Sequence, residues 1–131
     1  MENCIFCKII NNELPSKTIY EDDIIKVIMN INPVTDGHLL IIPKDHLVNI
    51  YDIDNELLIH SFNIIKNKLY PQLKEKLLCE GLSTQQNNEL GQEIKHYHIH
   101  LIPRYKNDQI EYQINKNKNT DIDIIFEKLK K

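Results

Sequence analysis

The chain has 131 residues, of which 41% are hydrophobic and 27% charged, a composition typical of one globular domain that excludes wholesale disorder. Its 16 basic and 19 acidic residues give a net charge of −3, which argues against a protein that grips nucleic acid phosphates. The sequence shows no basic and apolar leader and no apolar run of about 18 residues. We therefore expect a single cytoplasmic domain over residues 1–131, with reduced cysteines and with neither a membrane nor a nucleic acid as partner.

The N-terminal third predicts a short helix and three strands. Residues 4–10 are mostly apolar and end before an Asn-Asn pair, which favours one short helix. Asp36-Gly37 is a hairpin signal that leads into a compact apolar run closed by Pro43. The expected strands are Thr18–Tyr20, Ile24–Ile31 and His38–Ile42.

A long amphipathic helix is predicted in the middle of the chain. Asp52 or Asp54 can cap its start, because an aspartate accepts hydrogen bonds from the free N–H groups of a first turn. Its apolar residues follow the helical period, at Leu57, Leu58, Phe62, Ile65, Leu69 and Leu73. Pro71 predicts a bend in this helix, and Gly81 predicts its end.

The C-terminal half predicts two more strands and a last helix, namely Leu82–Gln86, Ile94–Ile102 and Ile122–Leu129. Thr120 followed by Asp123 resembles a capping box at the start of that helix. The low-complexity Lys and Asn run at 115–119 indicates a solvated loop. Strands joined by hairpins, with one long helix inserted, predict an α+β fold on an antiparallel sheet.

Histidines alternate in the run His96-Tyr97-His98-Ile99-His100. In a strand the three histidines share one face, and the residues between them share the other. One interpretation is a half-exposed strand that carries histidines by coincidence. A second is a site in which all three bind one metal ion. A third is a site in which one imidazole is a nucleophile while its neighbours bind phosphate and move protons.

The run from His96 to Ile102 matches the motif His-φ-His-φ-His-φ-φ, where φ is apolar, and resembles the histidine triad (HIT) family. Further segments resemble this family over most of the chain, namely Cys4 to Ile10, Asn30 to His38, Ile41 to His46 and Gly91-Gln92-Glu93. The resemblance implies an antiparallel sheet of about five strands with a short N-terminal helix, a long helix and a C-terminal helix.

The resemblance also implies a reaction, nucleotidyl transfer to water at the α-phosphorus of a nucleoside phosphoramidate or a dinucleoside polyphosphate. His98 would attack phosphorus to form a nucleotidyl-imidazole intermediate, as a neutral imidazole can near pH 7. A backbone carbonyl on its Nδ1 would turn Nε2 outward. His100 would contact the phosphate and the leaving group, while His96 and His38 complete the catalytic set. The implied partners are a purine nucleotide such as an AMP derivative and a second copy in a homodimer with one joined sheet.

The family's nucleotide contacts are implied at ten positions beside the triad. An apolar slot for the base would be formed by Ile5, Phe6, Ile9, Ile28 and Ile31, although core packing would explain the same residues and is the better interpretation for any single one of them. Polar or close backbone contacts would come from Asn30, Asn87, Gly91, Gln92 and Glu93. The sequence does not separate Asn87 from Asn88 in this role.

Cys4-x-x-Cys7 has the spacing of half a zinc site, although two small apolar residues on a helix face would look the same. In zinc-bearing relatives of the family the ligands resemble Cys4, Cys7, His46 and His96, and this chain has all four. Two thiolates and two imidazoles form a closed tetrahedral set. The resemblance therefore implies one structural zinc ion per chain.

Two departures from the family pattern concern specificity. Asn30 stands where the family commonly has an aspartate that accepts from the ribose hydroxyls, so a charge-assisted bond is lost. Glu93 stands where the phosphoramidase branch usually has a serine, and its carboxylate would repel a phosphate. Two other functional classes stay open: a metallohydrolase with all three triad histidines on a catalytic zinc, and a nucleotide-binding module without turnover.

Overall fold

A computed structural model describes residues 3–115 and 119–130. They contain one antiparallel sheet with the strand order β1-β2-β3-β5-β4. Its strands are β1 (Thr18–Glu21), β2 (Ile25–Met29), β3 (Leu39–Pro43), β4 (Gly81–Gln85) and β5 (Ile99–Arg104). The α+β class and the five-stranded antiparallel sheet predicted from the sequence are confirmed.

The α-helices of the described residues are α1 (Ile5–Ile10), α2 (Asn55–Ile64), α3 (Tyr70–Leu77) and α4 (Ile122–Leu129). The predicted long helix is α2 and α3 joined by the π-helical turn Ile65–Leu69, in which the N–H of Tyr70 bonds the carbonyl of Ile65. Since Pro71 has no N–H to donate, this wider turn accommodates it. Asp54, one of the two expected caps, caps α2. No helix within 3–115 and 119–130 has the length and apolar character needed to cross a bilayer.

The sheet is covered on both faces, and each face has its own apolar core. The side toward α2 and α3 buries a set that includes Ile25, Val27, Ile41, Leu57, Leu69, Ile99 and Leu101. The side toward α1 buries Phe6, Ile9, Ile28, Leu40 and Ile42. Each such side chain stabilises the fold by about 1.5–3 kcal/mol relative to exposure. The short α1 is therefore packed on the sheet although it has fewer than two turns.

Lys26 ties α1 to strand β2. Its side chain is buried, and its Nζ donates to the carbonyl of Ile9 at 3.2 Å, at the end of α1. A cation is favourable there because the last carbonyls of a helix have no partner within it. This contact fixes α1 over the sheet, and α1 carries residues that matter for the site.

The last strand differs from its prediction at both ends. The ladder begins at Ile99 instead of Ile94 and continues through Pro103 to Arg104. Pairing with β3 ends at Leu101, so β5 has only β4 as a neighbour at Pro103. A proline is tolerated at such an edge because no hydrogen bond is missing on the open side. Pro103 therefore does not stop the strand.

Two helix boundaries also differ from their predictions. Helix α3 ends at Leu77, and Leu78 takes the left-handed conformation at φ 59°, whereas Gly81 begins β4. Asp121 caps α4 by accepting from the N–H of Asp123 at 2.8 Å, so the cap is not Thr120. Residues 116–118 of the predicted loop at 115–119 lie outside the described residues.

Gly37 holds the turn that leads into β3. Its φ is +86°, and a β-carbon there would lie 2.5 Å from Cδ1 of Leu77 and 3.2 Å from Cγ of Pro103. The positive φ is the main reason for glycine, and the close approach adds a smaller cost because the end of the Leu77 side chain can shift. The hydroxyl of Thr35 adds a hydrogen bond to the carbonyl of Pro103 at 2.6 Å. These contacts fix the position of His38, the next residue.

Candidate functional site

The segment 96–98 reaches the site as an extended chain just ahead of β5. The N–H of Tyr97 donates to the carbonyl of Leu47 at 2.6 Å, so the segment lies beside a loop and outside the sheet ladder. Tyr97 and Ile99 are buried in the core toward α2. The triad histidines point to the opposite side, where Phe6 of α1 contacts two of them. The predicted alternation therefore holds although the regular strand begins later.

His98 is oriented by its own backbone. Its Nδ1 lies 2.8 Å from the carbonyl oxygen of His96, and because a carbonyl only accepts, Nδ1 carries the proton. The lone pair is then on Nε2, the atom that a nucleophilic imidazole uses. The ring of Phe6 meets the His98 ring edge-on, with centroids 5.1 Å apart. Burial lowers the pKa of His98, which keeps the imidazole neutral near pH 7.

His100 and His38 form a hydrogen-bonded pair beside His98. The N–H of Val34 donates to Nδ1 of His38 at 3.0 Å, so neutral His38 has its proton on Nε2. That Nε2–H donates to Nδ1 of His100 at 2.9 Å. Neutral His100 consequently has its proton on Nε2. The ring centroids of His98 and His100 are 5.0 Å apart, so a ring with an unprotonated Nε2 and a ring with an Nε2–H lie beside each other.

In the protein without a bound phosphate, the hydrogen bond between the two rings holds one proton. A cationic His100 would need a proton on Nδ1, which would face the Nε2–H of His38. Burial, followed by the charges of His98 and His38, lowers the pKa of His100 to about 4. Burial also lowers the pKa of His38. Both rings are therefore neutral at pH 7, and a phosphate bound beside them would raise the pKa of His100.

Two cysteine thiols and two histidine imidazoles, one of which is that of His96, lie close together. The donor atoms of Cys4, Cys7, His46 and His96 all lie within 4.8 Å of one another. The Sγ of Cys4 is 3.3 Å from Nδ1 of His96, and the Sγ of Cys7 is 3.2 Å from Nδ1 of His46. Tetrahedral zinc, with bonds of about 2.3 Å to sulfur and about 2.0–2.1 Å to nitrogen, puts neighbouring ligand atoms about 3.5 Å apart. The residues present thus fit a closed Cys₂His₂ site.

Both ring nitrogens of His96 are engaged. Its Nε2–H donates to the carbonyl of Pro43 at 2.9 Å, which leaves Nδ1 unprotonated and facing the thiols. The side chain is fully buried. His96 has no nitrogen left to share with His98 and His100, so the geometry opposes a metal site made of the three triad histidines. Among residues 3–115 and 119–130, the Cys₂His₂ set is the one grouping of possible metal ligands that meets this proximity.

The five apolar positions implied for the base slot divide into two groups. Phe6, Ile9 and Ile28 are buried in the core under α1. Ile5 and Ile31 are 45% and 90% exposed. Core packing therefore explains the first three residues without a ligand, whereas it does not explain the last two. The implied contact of Ile5 and Ile31 with a base therefore stays a prediction.

The side chain of Asn30 is hydrogen-bonded to the loop that carries Val34. Its Oδ1 accepts from the N–H of Asn32 at 2.9 Å, and its Nδ2 lies 3.4 Å from Nε2 of His38. Because that Nε2–H already donates to His100, the Asn30 contact with His38 is not a hydrogen bond. The amide therefore presents mainly N–H donors at the site, and one Oδ1 lone pair is already in use.

The loop before the triad is held by side-chain amides. Oδ1 of Asn88 accepts from the N–H of Ile50 at 2.8 Å, and its Nδ2 donates to Gln86. Nε2 of Gln92 donates to the carbonyl of Val48 at 2.6 Å. The backbone N–H of Gln92 also donates to the carbonyl of Glu89, at 3.0 Å. Asn88 and Gln92 are thus occupied within the protein, and the implied ligand contact at Gln92 stays a prediction.

The remaining three loop positions are more open. The side chain of Asn87 accepts only a long bond of 3.3 Å from Gln85, so it is the freer of the two candidate asparagine side chains. Gly91 has φ +94°, and a β-carbon added there would have no neighbour within 4 Å, so the space beside its backbone is open. Glu93 is exposed, and its negative charge acts on His98, whose pKa it raises against the larger effect of burial.

Two polar networks that the sequence did not reveal lie outside the site. Arg104 makes two bonds to the carboxylate of Asp108, at 2.7 and 3.1 Å, so it contacts its own chain. His60 forms a hydrogen bond with the carboxylate of Asp22 at 2.7 Å. Tyr20 and two backbone N–H groups also donate to this carboxylate, and these hydrogen bonds lower the pKa of Asp22 to about 2. Both networks are structural, because each polar group has its partner within the chain.

Known proteins with similar structures include a HIT family protein from Bacillus anthracis, with a TM-score of 0.80 and 32% identity over 98% of this chain and 96% of that one. A Zn-bound histidine triad family protein from Mycobacterium smegmatis matches with a TM-score of 0.76 and 29% identity over 87% of this chain and 84% of that one.

A relative by sequence is adenosine 5′-monophosphoramidase HNT1 of Saccharomyces cerevisiae, 38% identical over 103 residues, which are 77% of this chain and 62% of that protein. The family model described as HIT domain matches residues 11–107. That span includes the triad, His38 and His46. The chain belongs to the HIT family.

Proposed function

We propose that this protein is a nucleotidyl hydrolase or transferase that cleaves at the α-phosphorus of a nucleoside phosphoramidate or a dinucleoside polyphosphate. The observation that carries the proposal is the hydrogen bond from Nδ1 of His98 to the carbonyl of His96, at 2.8 Å. It leaves a neutral imidazole with a lone pair on Nε2, beside the ring of His100. Nucleophile and phosphate donor are thus ready before a substrate binds.

The reaction takes two steps on this arrangement. Nε2 of His98 attacks the α-phosphorus, an N–P bond forms, and the leaving group departs with the bonding electron pair. With phosphate bound, His100 carries a second proton, stabilises the negative charge on the phosphate oxygens and gives that proton to the leaving group as it departs. Water then gives a proton back to His100 and attacks phosphorus, the N–P bond breaks with its electron pair returning to Nε2, and the nucleotide and neutral His98 are released. His38 keeps His100 in the required tautomer, and His96 positions His98.

The substrate class is supported by the names of relatives and by the exposed residues of the apolar slot that is implied for the base. HNT1 is named for action on an adenosine 5′-phosphoramidate, and a relative from Arabidopsis thaliana is named adenylylsulfatase HINT3. Both names describe AMP joined to a leaving group. Ile5 and Ile31 would contact a purine base, and Asn87, Gly91 and Glu93 would border the phosphates. The free thiols suit a reducing compartment such as the cytoplasm.

A trapping experiment tests the proposal. The protein is mixed with an adenosine phosphoramidate, quenched in denaturant within milliseconds, and analysed by mass spectrometry. We expect an added AMP mass on the peptide that contains His98, and none in the His98→Ala variant. Cleavage without any adduct would favour the metallohydrolase, and nucleotide binding without cleavage would favour the binding module.

We further propose that Cys4, Cys7, His46 and His96 hold one structural zinc ion. The donor set leaves no open position, so the ion would supply a crosslink between the start of α1, the loop after β3 and the triad segment. It would hold His96, whose carbonyl orients His98. The Zn-bound relative supports the choice of metal.

The proposed homodimer has a suitable surface on one edge of the molecule. Strand β4 is the last strand of the sheet and has a free edge. On the outer face of α2, Ile59 and Phe62 are exposed. Pairing of two β4 edges with apolar contact between the helices would join the sheets, because an unpaired edge favours strand addition.

His100→Ala should reduce the cleavage rate in a way that depends on the leaving group. We expect a loss of about 10²–10⁴-fold for an alkylamine leaving group and a much smaller loss for a nitrophenolate, which needs no proton. The measurement is kcat across a leaving-group series. Equal losses along the series would contradict the assigned role, and His60→Ala serves as a control that should keep full activity.

Glu93→Ser should raise kcat/KM for an adenosine phosphoramidate, because it removes a negative charge that acts on His98 and would repel the phosphate bound there. We expect a gain of about 3- to 10-fold at low salt and a smaller gain at high salt, since screening weakens the repulsion. Glu89→Ser, in the same loop, is the matched control. A neutral or harmful effect of Glu93→Ser would show that the carboxylate does not repel substrate.

A further inference from the structure

Cys4 and Cys7 lie on the first turn of α1 with their sulfur atoms facing each other. Cys4 directly precedes the helix, and its Sγ accepts from the N–H of Cys7 at 3.3 Å. The carbonyl of Cys4 accepts from the N–H of Lys8 at 3.1 Å, so residues 4–7 form one helical turn. The two sulfur atoms are within 4.8 Å of each other. The turn therefore holds two thiols side by side.

The backbone of this turn suits a disulfide bond between Cys4 and Cys7. α-Carbons three residues apart in a helical turn are separated by about 5 Å, and disulfides join α-carbons that are about 4.4–6.8 Å apart. Rotation about the two Cα–Cβ bonds, with a small adjustment of the turn, brings the sulfur atoms to bonding distance. Both side chains are partly exposed, so a small oxidant in the solvent can reach them.

Cys79 does not compete for either sulfur atom. It is buried in the core toward α2, whereas α1 packs on the other face of the sheet. The chain has three cysteines, so Cys4 and Cys7 are the one pair that can form a disulfide within it.

A disulfide in this turn and a metal ion in the Cys₂His₂ set exclude each other. Zinc is bound by thiolate sulfur, and an S–S bond removes both thiolates. Only His46 and His96 would then remain as ligands, with their Nδ1 atoms facing uncharged sulfur. Two imidazoles are fewer than the three protein ligands that even a catalytic zinc site keeps. Oxidation of the two cysteines would therefore release the ion.

The same turn contacts the nucleotide site from two directions. Phe6, which lies between the two cysteines in sequence, meets the His98 ring edge-on with centroids 5.1 Å apart. The Sγ of Cys4 lies 3.3 Å from Nδ1 of His96, and the carbonyl of His96 orients His98. A change in the chemical state of the cysteines thus acts on the surroundings of the nucleophile.

We propose that Cys4 and Cys7 are a reversible modification site, at which hydrogen peroxide converts the two thiolates into a disulfide and zinc is released. The inference rests on the zinc site proposed above and does not depend on the nucleotide chemistry. A transient disulfide of this kind is typical of redox sensing in a reducing compartment.

The oxidation takes two steps. One thiolate attacks the peroxide, an S–O bond forms, the O–O bond breaks, and hydroxide leaves. The second thiolate attacks the oxidised sulfur, the S–S bond forms, the S–O bond breaks, and a second hydroxide leaves. The two thiolates give two electrons to the peroxide, and a dithiol reductant returns them by thiol–disulfide exchange.

Peroxide treatment of the zinc-loaded protein tests the proposal. A chromogenic chelator reports released zinc against an untreated sample, and tryptic peptides are analysed by mass spectrometry after alkylation of free thiols. We expect release of one zinc ion per chain, together with a peptide containing both Cys4 and Cys7 that is lighter by two hydrogen atoms and resists alkylation. Dithiothreitol followed by zinc should restore the metal content and the Tm of the untreated protein.

Three outcomes of this experiment would overturn the proposal. Zinc that stays bound under peroxide would show that the cysteines are protected, and zinc loss with sulfinic acid in place of the disulfide would show that the change is not reversible. Absence of zinc before treatment would contradict the metal site itself and the inference with it. Cleavage of nucleotides is not a readout here, so a failure of the proposed reaction would be seen separately.

Matched samples separate the two cysteines from the third one and from the metal. Cys79→Ala should show the same disulfide and the same zinc release. His46→Ala keeps both cysteines but lacks one metal ligand, so its disulfide should form at least roughly tenfold faster than in the zinc-loaded protein. By calorimetry, the oxidised wild-type chain should bind zinc at least roughly 1000-fold more weakly than the reduced, metal-free chain. Equal zinc affinities, or loss of the disulfide in Cys79→Ala, would overturn the proposal.

Discussion

Replacement of His98 by alanine is expected to lower kcat for an adenosine phosphoramidate by at least roughly 10³-fold, the scale seen when a catalytic nucleophile is removed. The change deletes the Nε2 lone pair that attacks phosphorus, and no other described group could take its place. His96 has both ring nitrogens engaged, and His100 has its Nδ1 bonded to His38. Steady-state kinetics with the purified variant is the measurement.

Two controls make this result specific to the nucleophile. His60→Ala removes a histidine that only pairs with Asp22, so its kcat should remain within a factor of about two. Binding of AMP to His98→Ala, measured by calorimetry, should persist, because the base slot and His100 remain. Retention of more than a tenth of wild-type kcat in His98→Ala would rule out the covalent route.

The fold could be predicted from short-range patterns because most of its elements are local. The hairpin signal at Asp36-Gly37 and the helical period from Leu57 to Leu73 each depend on residues that are close in sequence. The π-helical turn could be anticipated only as a bend, since its form depends on how the helix keeps its apolar face on the sheet while accommodating Pro71.

The start of β5 could not be predicted because a ladder depends on its partner. Residues 94–98 alternate like a strand, yet β3 offers partners only for Ile99 to Leu101. Tyr97 bonds the loop at Leu47 instead. The alternation of side chains survives because the segment remains extended, so the interpretation of the histidine face was sound while the assignment of secondary structure was wrong.

Within the site, side-chain identities could be read from the sequence, but the backbone partners that set their tautomers could not. The N–H of Val34 and the carbonyl of Pro43 fix the protons of His38 and His96. Neither atom differs chemically from any other backbone group. Only the loop geometry, with Gly37 at φ +86°, brings Val34 to His38.

Loss of the metal is expected to destabilise the protein more than it affects chemistry directly. We predict one zinc per chain by elemental analysis, and a fall in Tm of about 10 °C or more for Cys7→Ser, because the ion would crosslink segments that are distant in sequence. Activity should fall by a smaller factor than in His98→Ala. The reason is that a looser His96 misorients the His98 ring but leaves its Nε2 present.

Cys79 provides the matched control for this prediction. It is buried in the core toward α2 and lies outside the Cys₂His₂ set, so Cys79→Ala should keep one zinc per chain whatever it does to Tm. Cys4→Ser and His46→Ala should behave like Cys7→Ser, with less metal and a lower Tm. A native protein that holds no metal and melts at the same temperature as these variants would contradict the site. An ion bound by His98 and His100 would contradict it as well and would move the reaction to the metallohydrolase class, in which activity is lost on chelation without any adduct on His98.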